Sequence, residues 1–146
     1  MISIYEYLLG KNKKLNTIHA KNDNIRQIVK DELNKLGNDA DLNHIDTSDV
    51  TNMSWLFSGH EYMNPDISDW NVENVTNTSY MFHGCRNFNC DISNWDVYNV
   101  EYMEAMFAGC EKFNQDISGW NVNKVNYVDN IFVNCSIKED YKPKFK

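Results

Sequence analysis

His60, Cys85, Cys110 and Cys135 recur at a spacing of 25 residues, and one histidine with three cysteines is a donor set that zinc takes. Tetrahedral zinc needs its four donors to converge at about 2.0–2.3 Å from one point. The constant period works against convergence. Residues repeating at a fixed interval line up as a column along the repeat axis, with copies about 5 Å apart as in a β ladder. Four donors strung over roughly 15 Å of such a column do not meet at one ion. The column is expected to be a row of reduced, packed thiols, and no metal or cofactor is expected. Cys90 falls outside it.

Each unit can be counted from Asp41, Asp66, Asp91 and Asp116 as column 1. These four carboxylates stack, and like charges about 5 Å apart repel unless each is hydrogen-bonded. Each is expected to accept backbone N–H bonds at a turn. Calcium is the weaker reading, because the units lack the glycine-rich nonapeptide pattern of calcium-binding β-rolls. His19, His44, His60 and His83 occupy different places in the pattern, and no Ser-His-Asp or Cys-His arrangement emerges. A catalytic group interrupts a pattern once, whereas these polar columns recur. The chain therefore reads as non-enzymatic, with no catalytic residue.

The variable columns 12 and 15 carry a different chemistry. Trp55 and Tyr80 stand in column 15, Tyr102 and Tyr127 in column 12, one aromatic per unit. The two columns are three apart and share a face if this stretch is helical. Tyr98, in column 8, lies nearby in sequence, and Glu73, Glu101, Glu104 and Asp129 flank the set. Aromatic rings in charged surroundings are the composition of recognition surfaces. The expectation is an exposed stripe that contacts a protein partner, with acidic residues steering a basic surface toward it. The competing reading is that the rings merely cover core.

The elements that must position these residues follow from the period. Asp91-Ile92-Ser93-Asn94-Trp95-Asp96-Val97 has counterparts at Asp66 and Asp116, and a degenerate one at Asp41. Four units result, 41–65, 66–90, 91–115 and 116–140. The apolar columns are 2 (Leu42, Ile67, Ile92, Ile117), 5 (Ile45, Trp70, Trp95, Trp120), 7, 10, 16, 17 (Phe57, Phe82, Phe107, Phe132) and 23. No unit can bury these alone, so they must stack into one core. Columns 1–7 predict one short parallel strand per unit. Columns 10–19 predict one short helix, N-capped at Thr51 and Thr76 and ended by Gly59, Gly84 and Gly109. Asn64, Asn89 and Asn114 in column 24 are expected to form a ladder with neighbouring turn backbone. The fold class predicted is an α/β solenoid of the leucine-rich-repeat kind.

Residues 1–40 predict an N-terminal helical cap. Residues 2–9 read as a short apolar helix, 11–14 as a loop and 15–20 as a short strand or extended link. Ile25, Ile28, Val29, Leu33 and Leu36 make one apolar stripe, with Asp23 as N-cap and Gly37 at the end. Residues 141–146 read as a basic tail.

The net charge of −7 is unevenly spread. Residues 1–40 carry seven Lys/Arg and five Asp/Glu, residues 41–140 four against sixteen, and the last six residues three lysines. The acidic body repels nucleic acid phosphates. No apolar run reaches the roughly 20 residues that span a bilayer, and the N-terminus lacks a basic leader region. A cytoplasmic location is expected, or an extracellular surface if an export signal has been removed.

Phe-Asn-x-Asp-Ile-Ser-x-Trp-Asx-Val, followed by Asn-Val and Met-Phe-x-Gly-Cys, is carried most fully by residues 88–110. This motif resembles the BspA-like leucine-rich repeat family, known from bacterial surface proteins, lipoproteins and phage-associated proteins. The resemblance covers residues 41–140. It implies a strand-and-helix repeat that recognises proteins or surfaces without catalysis. A protein-binding module is the expected function, with a carbohydrate- or cell-surface-binding adhesin as the alternative.

Overall fold

The structure, a computed structural model, describes residues 16–146. The helix expected over residues 2–9 and the loop at 11–14 lie outside the described residues.

Residues 16–40 precede the repeats and contain a strand and a helix. Strand β1 (Ile18–His19) pairs in parallel with β2 (Ile45–Asp46), Ile18 opposite Ile45. Helix α1 spans Ile25–Leu36. Its stripe lands as the periodicity requires, with Ile25, Val29 and Leu33 buried and Ile28 and Leu36 half-buried against the core. The N-cap is Asn24, not Asp23, and its Oδ1 accepts the Lys21 N–H at 2.8 Å. Gly37, at φ 96°, closes the other end, where its N–H reaches the Leu33 carbonyl.

The four repeats overturn the predicted fold class. Among the described residues there is one α-helix, two two-residue strands and a 3₁₀ turn at Glu139–Tyr141. The chain is not a leucine-rich-repeat solenoid with a helix and a strand in each unit. Thr51 and Thr76 cap no helix, and Gly59, Gly84 and Gly109 end none.

The reason lies in where the amides point. An α-helix directs each N–H to its own i−4 carbonyl. In columns 12–19 alternate N–H groups leave the turn instead. Those of Met53, Trp55, Phe57 and Gly59 donate to Asn77, Ser79, Met81 and His83 of the next unit at 2.9–3.0 Å. The amides between them close three-residue turns, Leu56 to Met53 and Ser58 to Trp55. This alternation needs left-handed residues. Column 15 supplies them in every unit, at Trp55, Tyr80, Ala105 and Asn130, with φ of 48–61°. A left-handed residue in mid-stretch breaks a helix.

Beyond β2, columns 1–7 fail as strands for a similar reason. Asp41, Asp66, Asp91 and Asp116 each accept the N–H two residues on, at 2.9–3.1 Å. Asp46, Asn71, Asp96 and Asn121 repeat this in column 6. Two such turns leave no room for an extended run. Between repeats, pairing is reduced to isolated parallel bridges, Asp41 with Asp66, and Asn52, Asn77, Tyr102 and Tyr127 in series.

The apolar columns form one buried cluster. Phe57, Phe82 and Phe107 stack with centroids 5.6 Å apart, and Phe132 follows at 5.8 Å. Trp70, Trp95 and Trp120 bury their rings and donate Nε1–H to the carbonyls of Leu42, Ile67 and Ile92 at 2.9–3.1 Å. The asparagine ladder forms, with Asn64 and Asn89 Oδ1 accepting the Asn89 and Asn114 N–H at 2.9 Å. The basic tail is partly ordered into this architecture. Tyr141 and Phe145 pack on the core, and the Tyr141 carbonyl accepts the Ile117 N–H as Asp66 accepts that of Leu42.

Candidate functional site

Left-handed geometry at column 15 holds Trp55 and Tyr80 out from the turn, and register places them directly over one another. Their rings are parallel within 1° at a centroid distance of 4.1 Å. His83 tilts against both, 5.6 Å from Tyr80. In column 12, Tyr102 and Tyr127 form a second parallel pair at 4.7 Å. Trp55, Tyr102 and Tyr127 are 46%, 37% and 48% exposed, and Tyr80 is half-buried. The aromatic residues singled out from the sequence are thus brought together as two stacked pairs rather than one helical stripe. Tyr98 is exposed separately, with Lys124 Nζ 4.5 Å above its ring.

Among the acidic residues, Glu73, Glu101 and Asp129 are exposed. Glu104 is half-buried and accepts the Ser79 hydroxyl at 2.5 Å. It buttresses the turn beneath Tyr80, whose N–H donates to the Glu104 carbonyl.

The cysteine column is occupied internally. Cys85 and Cys110 direct their Sγ–H to the Phe57 and Phe82 carbonyls at 3.0 Å. Burial pushes the Cys85 thiol up to about 12 and raises that of Cys110 as well, the latter also by its neighbouring cysteines. Such thiols are poor nucleophiles. His60 is exposed at the end of this column.

In the column 1 carboxylates, hydrogen bonds from Ser68, Ser93 and Ser118 hold Asp66, Asp91 and Asp116 below the usual aspartate range. A depressed folded-state value contributes stability above the unfolded value and loses it as pH falls through the folded one. Urea midpoints should therefore be level from about pH 7 to pH 5 and fall below about pH 4, around and beneath the free aspartate value. These groups are exposed, so solvent screening keeps each contribution small. A midpoint that rises on acidification would contradict this assignment.

Two further features escaped the sequence reading. Glu32 of α1 is buried and its Oε2 lies 2.7 Å from His44 Nε2, joining α1 to the repeats. No local signal marks a pair whose members lie in different segments. An open groove of about 920 Å³ runs over Gly59, Gly84 and Gly109. Arg86 stands on its wall between Glu61 at 2.7 Å and Glu111 at 3.2 Å, so its charge is met within the chain.

No helix among the described residues is long and apolar enough to cross a membrane. No curated protein and no solved structure matches the chain. One family does match, over residues 23–143, which covers α1 and all four repeats. On that match the chain belongs to a family described as Mycoplasma protein of unknown function, DUF285.

Proposed function

We propose that the chain is a non-enzymatic protein-interaction module, working in the cytoplasm, whose contact surface is built from the two aromatic pairs. The observation that carries this reading is the backbone beneath Trp55 and Tyr80. Bulky residues at φ of 61° and 59° are outliers. Holding each there costs on the order of 1 kcal/mol or more, and strain of this kind clusters at functional sites. Asn130, in the same column of the last unit, takes this conformation with a residue that tolerates it better.

The exposed Glu73, Glu101 and Asp129 would favour a partner with a basic surface. A carbohydrate ligand, the alternative reading, would need free ring faces for stacking. Here the rings of each pair turn one face to each other, and Tyr98 has a lysine over one of its own. That geometry favours a protein contact along the ring edges.

Replacing Tyr80 and Tyr102 together with serine should leave the melting temperature nearly unchanged. It should weaken binding of a partner captured by pull-down at least tenfold, or about 1.4 kcal/mol. If the double variant unfolds, or binds as the wild type does, the rings serve packing alone.

A further inference from the structure

The inter-repeat backbone hydrogen bonds in columns 13–19 run in one direction. N–H groups of each unit donate forward to carbonyls of the next. The final unit therefore ends in donors. The N–H groups of Val128, Asn130, Phe132 and Asn134 occupy the positions from which Thr78, Tyr80, Phe82 and Gly84 donate, and they have no acceptor among the described residues. Phe132 is only half-buried, unlike the fully buried Phe57, Phe82 and Phe107 below it, and Val133 is 48% exposed. The open edge is thus both hydrogen-bonding and apolar.

The opposite edge is partly covered by α1. Arg26 of α1 reaches across to the Ser54 and Trp55 carbonyls at 3.0 and 3.2 Å. A second copy cannot offer its last unit to this one either, because donors would face donors. What the C-terminal edge accepts is an acceptor-bearing segment.

We infer that this edge is a docking site for one turn of the same repeat sequence carried on another polypeptide, by backbone pairing of the β-augmentation kind. The chain itself shows the fit. Residues 99–110 present the carbonyls of Tyr102, Glu104, Met106 and Ala108 to the four preceding N–H groups, at 2.8–3.0 Å. A segment of that sequence set on the last unit would place a phenylalanine over Phe132. The tail engages column 2 through Tyr141 and lays Lys142 Nζ 5.4 Å from the Phe132 ring, and the occupant would displace that one side chain.

The test uses the full chain and a synthetic peptide of residues 99–110, with its cysteine changed to serine. Hydrogen exchange read by NMR should show the Val128, Asn130, Phe132 and Asn134 amides slowed at least tenfold by saturating peptide. Changing the peptide's phenylalanine to alanine should weaken binding at least tenfold, as should Phe132→Ala in the chain. The wild-type exchange readout stands even if Phe132→Ala fails to fold. Unchanged exchange at these four amides, equal effects from a scrambled peptide of the same charge, or protection already present in concentrated chain alone would each overturn the inference.

Discussion

Replacing Trp95 with alanine is expected to lower the unfolding free energy by about 3–5 kcal/mol. The ring is 4% exposed and lies in a central repeat with a tryptophan unit on either side. Its loss removes buried apolar surface next to Phe82, 6.3 Å away between centroids, in a site with neighbours fixed above and below. It also leaves the Ile67 carbonyl without the Nε1–H that reaches it at 3.1 Å, and an unmade buried hydrogen bond adds to the cost. Trp95→Phe separates the two contributions. It keeps most of the ring and should lose only about 1–2 kcal/mol. Urea denaturation read by circular dichroism measures both. A melting temperature for Trp95→Ala within about two degrees of wild type would correspond to about 1 kcal/mol or less and would contradict the packing described.

Gly109→Val is the second large loss, about 2–3 kcal/mol. Gly109 has φ 76°, a conformation that a β-branched residue resists. A Cβ there would meet the Gly84 backbone at 3.4 Å, an ordinary van der Waals contact, so the cost is conformational. Asn134 fills the same column in the last repeat at φ 55°, so Gly109→Asn should lose less than about 1 kcal/mol. The contrast between the two variants matters more than either value. Equal losses would mean that space, not backbone handedness, sets the requirement.

These two residues mark what was legible in the sequence and what was not. The column identities were readable because burial follows side-chain type at a fixed period. Phe57, Phe82 and Phe107, and Trp70, Trp95 and Trp120, lie in the core. The turn roles of the column 1 aspartates and column 24 asparagines were readable too, since a short side chain bonds the backbone near it or in register with it. The local conformation was misread. Glycines in column 19 signalled left-handed backbone, but Trp55, Tyr80 and Ala105 in column 15 give no such signal, because nothing intrinsic to them favours positive φ. Their conformation is imposed by hydrogen bonds to the next repeat, and spacing within one unit cannot reveal those. The apolar residues at columns 16 and 17 therefore looked helical. The same limit hid the Glu32–His44 pair. It also changed the meaning of columns 12 and 15, which position their rings through register between repeats and not through one helix face.

The account rests on repeats built of left-handed turns joined in register, and backbone NMR of the intact chain tests that most directly. Nuclear Overhauser contacts should link Asn52 to Asn77, Asn77 to Tyr102 and Tyr102 to Tyr127. Trp55 and Tyr80 should show the strong intraresidue contact between amide and α protons that positive φ produces. An unbroken helical series of contacts across residues 50–59, without contacts between repeats, would contradict it.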